Sequence, residues 1–167
     1  MYQLINKDDF SGIVKWSSNI SERDVNFYCV EAQKFDTYHI MPIAKVSGNN
    51  IVLDIETAIQ ESPITKPELV NFYNEYVKPF IVCKAYERLL LLHGRNVTQF
   101  GLRVNNEETS NEISDKARGE WIEQTAHKAN VYMNDMFAKM KEANFTFDGV
   151  VYIDKSKKKT ISRINAI

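Results

Sequence analysis

The side chains able to do chemistry are few in this 167-residue chain, and they are scattered. Three histidines occur: His39 near the end of a first helical pattern, His93 at the end of the most apolar one, and His127 midway along the last. No two of them have metal-ligand spacing, and neither Cys29 nor Cys83 has a second cysteine nearby. Both cysteines sit on apolar helical stripes and read as small buried hydrophobes rather than a disulfide pair. His39 and His93 fit the preference of helix C-termini for cationic side chains. Glu107, Glu108 and Glu112 lie in a polar loop, as a solvated face does. No phosphate loop, nucleophile elbow or dinucleotide fingerprint is present.

One spacing has a claim to catalysis. "RLLLLH", Arg88 to His93, is similar to the Arg-x4-His motif of small all-helical RNases from toxin systems, where both residues face a scissile phosphate. Here the four intervening residues are all leucine, which makes the helix buried nearly all round. Five positions also put the two side chains about 140° apart on an ideal helix. Non-catalytic roles for both residues are therefore expected, with no cofactor and no metal.

The elements that carry these residues are legible from periodicity and caps. Residues 1–20 show no helical period, and their scattered anchors (Leu4, Ile5, Phe10, Ile13, Val14, Trp16) predict an extended arm. Ser21 with Asp24 marks a helix start, and Val25, Tyr28, Cys29, Ala32 and Phe35 define its apolar face, so helix one spans 22–39. Pro42 ends it by Met41. "IVLDIETAIQ" reads as either a short strand or a single helical turn. Thr65 with Glu68 has capping-box spacing, and Leu69, Phe72, Tyr76, Phe80, Cys83, Tyr86 and Leu90 keep one rhythm across Pro79. Two helical halves, 66–77 and 79–93, are predicted, with Pro79 opening the second, where its missing donor is harmless.

"NVTQFGLRVN" predicts a short hairpin or protruding loop. A long helix over 112–143 follows, with the stripe Trp121, Thr125, Ala129, Tyr132, Met136 and Met140. "FTFDGVVYID" contains the turn dipeptide Asp148-Gly149 and reads as a strand or small hairpin. The predicted fold is mainly α: a bundle of three to four helices with a projecting loop or hairpin, an extended N-terminal arm and a C-terminal strand and tail. The domain division is an arm over 1–20, a helical body over 21–144 and an interaction tail over 145–167.

Charge adds a further constraint. The net charge is −1, while residues 155–163 alone carry +5, which leaves −6 on the rest. A basic segment leaving an acidic body reads as an interaction arm. The near-neutral total argues against general nucleic-acid affinity. "MYQLINKDDF" lacks the basic and apolar regions of a signal peptide, and no apolar run reaches the ~20 residues a bilayer span needs.

The order of these pieces resembles a known family. "QLINKDDF", "SSNISERDVNFYCVEAQKFD", "YNEYVKPFIVCKAYERLLLLHGRNVTQFGLRV" and a last long helix are similar to the head–tail connector proteins of bacteriophages. The resemblance is nearest to the neck ring proteins of crAss-like and other Bacteroidales phages and covers about 1–143. Its markers are Glu31-Ala32-Gln33, the Val77-x-Pro79-Phe80 stretch and the loop with Gly101. "MPIAKVSGNN" departs from it, where relatives more often carry a proline-leucine-glycine turn.

The resemblance implies a non-enzymatic tail adaptor in the virion neck, assembled in the host cytoplasm. It would be a homomeric ring, a dodecamer by the portal's symmetry. It would contact the portal protein and adjacent neck rings, pass DNA through its lumen without specific binding, and have no membrane contact. On that reading the partner-facing residues are Phe10, Trp16, Phe100, Leu102, Val150, Tyr152, Ile153, Lys157, Lys158, Lys159 and Arg163. The alternatives are the small all-helical RNase and a helical adaptor that binds another partner through the basic segment.

Overall fold

The computed structural model describes residues 2–14, 21–41, 43–92, 95–98, 101–104 and 115–155. It is a mainly α bundle with a small antiparallel sheet.

The first helical rod starts where the capping signal places it. Ser21 Oγ accepts from the Asp24 backbone N–H at 3.2 Å and opens α1 (Glu22–Glu31). The rod then widens into a π-helical stretch, Ala32–Thr37, and closes with α2 (Tyr38–Ile40). The Tyr38 N–H reaches five residues back, to the Gln33 carbonyl, which is the wide-turn pattern. This shifts the buried face. Val25, Cys29 and Ala32 are buried as expected, but Phe35 is 45% exposed, and Gln33 and Thr37 are buried in its place.

After β1 (Ile43–Lys45), "IVLDIETAIQ" is a full ten-residue helix, α3 (Ile51–Gln60), rather than a strand or single turn. Asn50 caps it, its side chain accepting from the Val52 N–H at 2.9 Å. Ile51, Val52, Ile55 and Ala58 are buried at helical spacing. The β-branched content that favours a strand is overridden by that cap and by burial.

The two predicted halves around Pro79 are one continuous rod: α4 (Pro67–Phe72), a second π-helical stretch (Tyr73–Val77) and α5 (Lys78–Leu92). Pro67, not Pro79, occupies the first helical position. The wide turn ends just before Pro79, and the Lys78 N–H bonds to the Tyr73 carbonyl five residues back. A loosened ladder at this point lets a residue with no N–H continue the helix.

Hairpin strands β2 (Arg95–Thr98) and β3 (Gly101–Val104) pair antiparallel, in their own two-stranded sheet. Then α6 (Asp115–Glu142) packs along α5. Thr125, Ala129, Met136 and Met140 of its stripe are buried, and Trp121 and Tyr132 pack at the margin. The helix ends on Asn144 at φ 49°, with the Phe145 N–H bonding to the Met140 carbonyl at 2.9 Å.

The sequence Asp148-Gly149 makes the expected tight turn, both residues at positive φ (48° and 76°), between β4 (Thr146–Phe147) and β5 (Val150–Asp154). The sheet order is β1-β5-β4, so β5 is central. A strand added along Val150–Ile153 would therefore have to compete with neighbours already present on both sides. One edge of β5 is paired with Thr146–Phe147 and the other with Ile43–Lys45.

The turn also supplies a cap from afar. Lys66 gives α4 no side-chain cap. Instead Asp148 Oδ1 and Oδ2 accept from the N–H groups of Glu68 (3.1 Å) and Leu69 (2.9 Å). Glu68 Oε2 accepts in return from the Asp148 N–H at 2.6 Å. This is a capping box built between segments 80 residues apart. Thr65, the expected cap, hydrogen-bonds Glu61 instead.

Replacing Asp148 by Ala should therefore cost about 1–2 kcal/mol of stability, read from the urea midpoint. Thr65→Ala should stay within about 0.5 kcal/mol. Equal effects would remove the long-range cap.

Candidate functional site

The segment predicted to be an extended arm packing by isolated contacts lies on its own body over residues 2–14. The Leu4 N–H donates to Gln33 Oε1 at 2.9 Å, and the Leu4 carbonyl accepts from the Tyr73 hydroxyl. Gln33 Nε2 donates to the Tyr2 carbonyl (2.7 Å) and to Glu56 Oε1 (2.9 Å), which also accepts from the Tyr38 hydroxyl at 2.6 Å. Leu4 and Ile5 are in the core. Asn6 caps a short 3-10 turn, Lys7–Phe10, which drives Phe10 into the core at 0% exposure, edge-on to Tyr86 at 6.5 Å. Lys78 clamps the turn through Asp9 at 2.5 Å.

These placements correct several of the expected partner residues. Phe10 is an internal anchor, because an edge-stacked aromatic sealed from solvent has no surface to offer a neighbour. Tyr152 is likewise sealed, 6.4 Å from the Phe147 ring on the core side of β5. Val150 is partly buried on that same side. Ile153 alternates outward and is 40% exposed. Leu102 lies in β3 opposite Val97. Trp16, Phe100, Lys157, Lys158, Lys159 and Arg163 fall outside the described residues, as do His93, Glu107, Glu108 and Glu112.

Arg88 is held by carboxylates. Its Nε and Nη2 bond to Asp36 at 2.9 and 3.3 Å, Nη1 lies 3.5 Å from Glu31, and the guanidinium sits 5.8 Å from the Phe35 ring centre. The hydrogen bond to Asp36 raises its pKa further. This fork ties α5 to the first π-helical stretch and half-covers the displaced Phe35. Of the other histidines, His39 and His127 are exposed on different helices. Among the described residues no cluster of His, Cys, Asp or Glu could hold a metal ion. A shallow recess of about 110 Å³, lined by Val14, Tyr86, Trp121 and Lys128, is well below the ~300 Å³ of a small-molecule site.

Residues 45–147, from the end of β1 to the end of β4, match the family of unknown function DUF6712. The chain belongs to that family. No curated protein and no solved structure matches it. The DUF6712 span contains α3, the long α4–α5 rod, the hairpin, α6 and β4. The first helical rod, the N-terminal segment, Asp148 and β5 lie outside it. No described helix is long and apolar enough to cross a membrane.

What the surface offers is apolar area. Phe27 (57% exposed) and Val30 (40%) stand on the outer side of α1. On the sheet, Val46 donates its N–H to the Val151 carbonyl at 3.2 Å, which extends the β1–β5 register by one pair. Val46 (69%), Val151 (48%) and Ile153 (40%) thereby share the outward face. The opposite face carries Lys45 and Tyr152, packed toward Asp54, whose Oδ1 pairs with Lys45 Nζ at 3.0 Å. Burial, then the Asp54 charge, raises the Tyr152 pKa.

Phe10→Ala should cost about 3–5 kcal/mol in chemical denaturation, where an arm residue would cost almost nothing. Burial pushes Cys29 up to about 12 and Cys83 up to about 11. Unfolded thiols ionise near 9, so from there upward the unfolded chain loses protons that the folded chain keeps. The thiol contribution to stability should be constant below about pH 9 and be lost progressively from there as pH rises through 11 to 12. Native thiols should react with a disulfide reagent only after denaturation.

Proposed function

We propose that this chain is a structural, non-enzymatic subunit of a bacteriophage neck. It tiles with copies of itself into a ring between the portal and the tail through which DNA passes. The observation that carries the reading is the placement of exposed apolar side chains on two unlike surfaces, Phe27 and Val30 on α1 and Val46, Val151 and Ile153 on the sheet. A closed ring is made by a heterologous interface, in which each subunit shows one surface to the neighbour ahead and a different one to the neighbour behind. Twelve copies would match the portal. The resemblance over about 1–143 supports the same role.

Charge supports it as well. Outside residues 155–163 the chain carries −6, so a lumen built from it would not hold passing DNA by phosphate neutralisation. The basic residues Lys157, Lys158, Lys159 and Arg163 would then face protein, the portal or an adjacent ring, rather than genome. Arg88, bound to Asp36 and Glu31, would act as a strut in such a subunit and not as a phosphate ligand.

Co-expression with a cognate portal, followed by electron-microscopy class averages, should show a twelve-fold ring. Phe27→Ser with Val30→Ser should leave the circular dichroism and melting curve unchanged and abolish the ring. A chain that forms no ring, but cleaves RNA in a manner lost in Arg88→Ala, would replace this reading with the RNase one.

A further inference from the structure

The loop between α3 and α4 displays one large apolar side chain. Ile64 is 57% exposed there, with Pro63 before it and Pro67 opening the long rod. The loop is held in shape on both sides. Glu61 accepts from the Thr65 hydroxyl and lies 3.7 Å from Lys66 Nζ, and the first turn of α4 is bonded to Asp148. The two prolines restrict the backbone further. A knob ordered in advance loses little conformational freedom on binding, so its apolar area counts almost in full toward a contact.

The recess beside α6 has the complementary character. Its walls are Val14, Tyr86, Trp121 and Thr125, its exposed rim is Gln124 and Lys128, and its volume is about 110 Å³. A core cavity of about 150 Å³ admits a benzene ring, so this recess has room for the four-carbon side chain of an isoleucine. Lys128 pairs with no carboxylate among the described residues; its Nζ donates to the Ile13 carbonyl at 3.4 Å. The knob carries the opposite sign, Glu61 and Glu68 against Lys66 alone.

We infer that the recess takes Ile64 of a second copy of this chain. A copy cannot fill its own recess. Ile64 stands just before the start of the long rod, and Tyr86 lies about 28 Å along that rod from Pro67. Size, polarity and charge match between the knob of one copy and the recess of another. The contact joins unlike surfaces, as a heterologous interface does. One anchor seated in a pocket can carry much of an interface's binding energy. The inference uses neither the α1 surface nor the sheet strip and does not rest on the connector reading.

The test is disulfide trapping between two full-length variants, Ile64→Cys and Gln124→Cys, where native Cys29 and Cys83 are buried. Mixed under mild oxidation, the unlike chains should cross-link roughly tenfold or more faster than a control mixture. The control replaces Ile64→Cys by Thr57→Cys, an exposed position on α3. A rate equal to the control would overturn the inference. So would faster cross-linking of Ile64→Cys chains with one another, which would bring like surfaces together.

Ile64→Asp supplies a readout independent of added cysteines. Sedimentation should show self-association about ten- to a hundredfold weaker than in the native chain, the effect of withholding one buried isoleucine. Circular dichroism should be unchanged, because the side chain faces solvent in the single chain. A native chain that stays monomeric at every concentration, or self-association that Ile64→Asp leaves intact, would overturn the inference. A portal-bound ring that forms equally well with Ile64→Asp would leave the connector reading standing, so the two readings fail separately.

Discussion

The reciprocal bond between Asp148 and the first turn of α4 is the constraint on which the rest of the architecture closes. A helix start exposes N–H groups that must find acceptors, and α4 has no local one. By drawing on Asp148, it fixes the β4–β5 turn against the long rod. That brings the Phe147 ring to 4.7 Å from Phe72, and β5 then pairs with β1. The far end of the bundle is thereby tied to the exit of the first helical rod, and the sheet becomes a clasp over a helical core.

A second closure acts at the opposite end of the sequence. Leu4 satisfies both of its backbone groups on side chains, Gln33 and Tyr73, and so adds to the body without becoming a strand. Gln33 is fully buried, and its amide is satisfied by Leu4, Tyr2 and Glu56. A buried amide with its bonds made sets one geometry, since each lost partner would leave an unpaired polar group in the core. Two of the fold's polar clamps, Asp148–Glu68 and Gln33–Glu56, thus join segments that lie far apart in the chain.

Periodicity showed in advance the parts of the fold that depend on local pattern. The start of α1 at Ser21, the stripe of α6 and the Asp148-Gly149 turn each rest on a few neighbouring residues, and each lies where that pattern puts it. What was not legible depends on contacts made at distance. The α3 stretch reads in isolation as either a short strand or a single helical turn, whereas Asn50 and the core make it a full helix. The segment over 2–14 reads only as an extended arm because its anchors have no period; their order comes from Gln33, Tyr73 and Lys78. Among expected partner residues, alternation alone would have separated Tyr152 from Ile153, since neighbours on a strand face opposite ways. Phe10 offered no such signal.

The two wide turns have a consequence for how the rods tolerate changes in length. A π-helical stretch holds one residue more than an α-helix needs to keep both flanks facing the same way. Shortening Ala32–Thr37 by one would leave Val25 and Tyr38 on their present sides, whereas the same deletion inside α6 would swing everything beyond it by about 100°. The second stretch has no such latitude. Its slack lies directly before Pro79, and tightening it would set the pyrrolidine ring against the carbonyl four residues back. Of two similar irregularities, one is a spare residue and the other is the room a proline occupies.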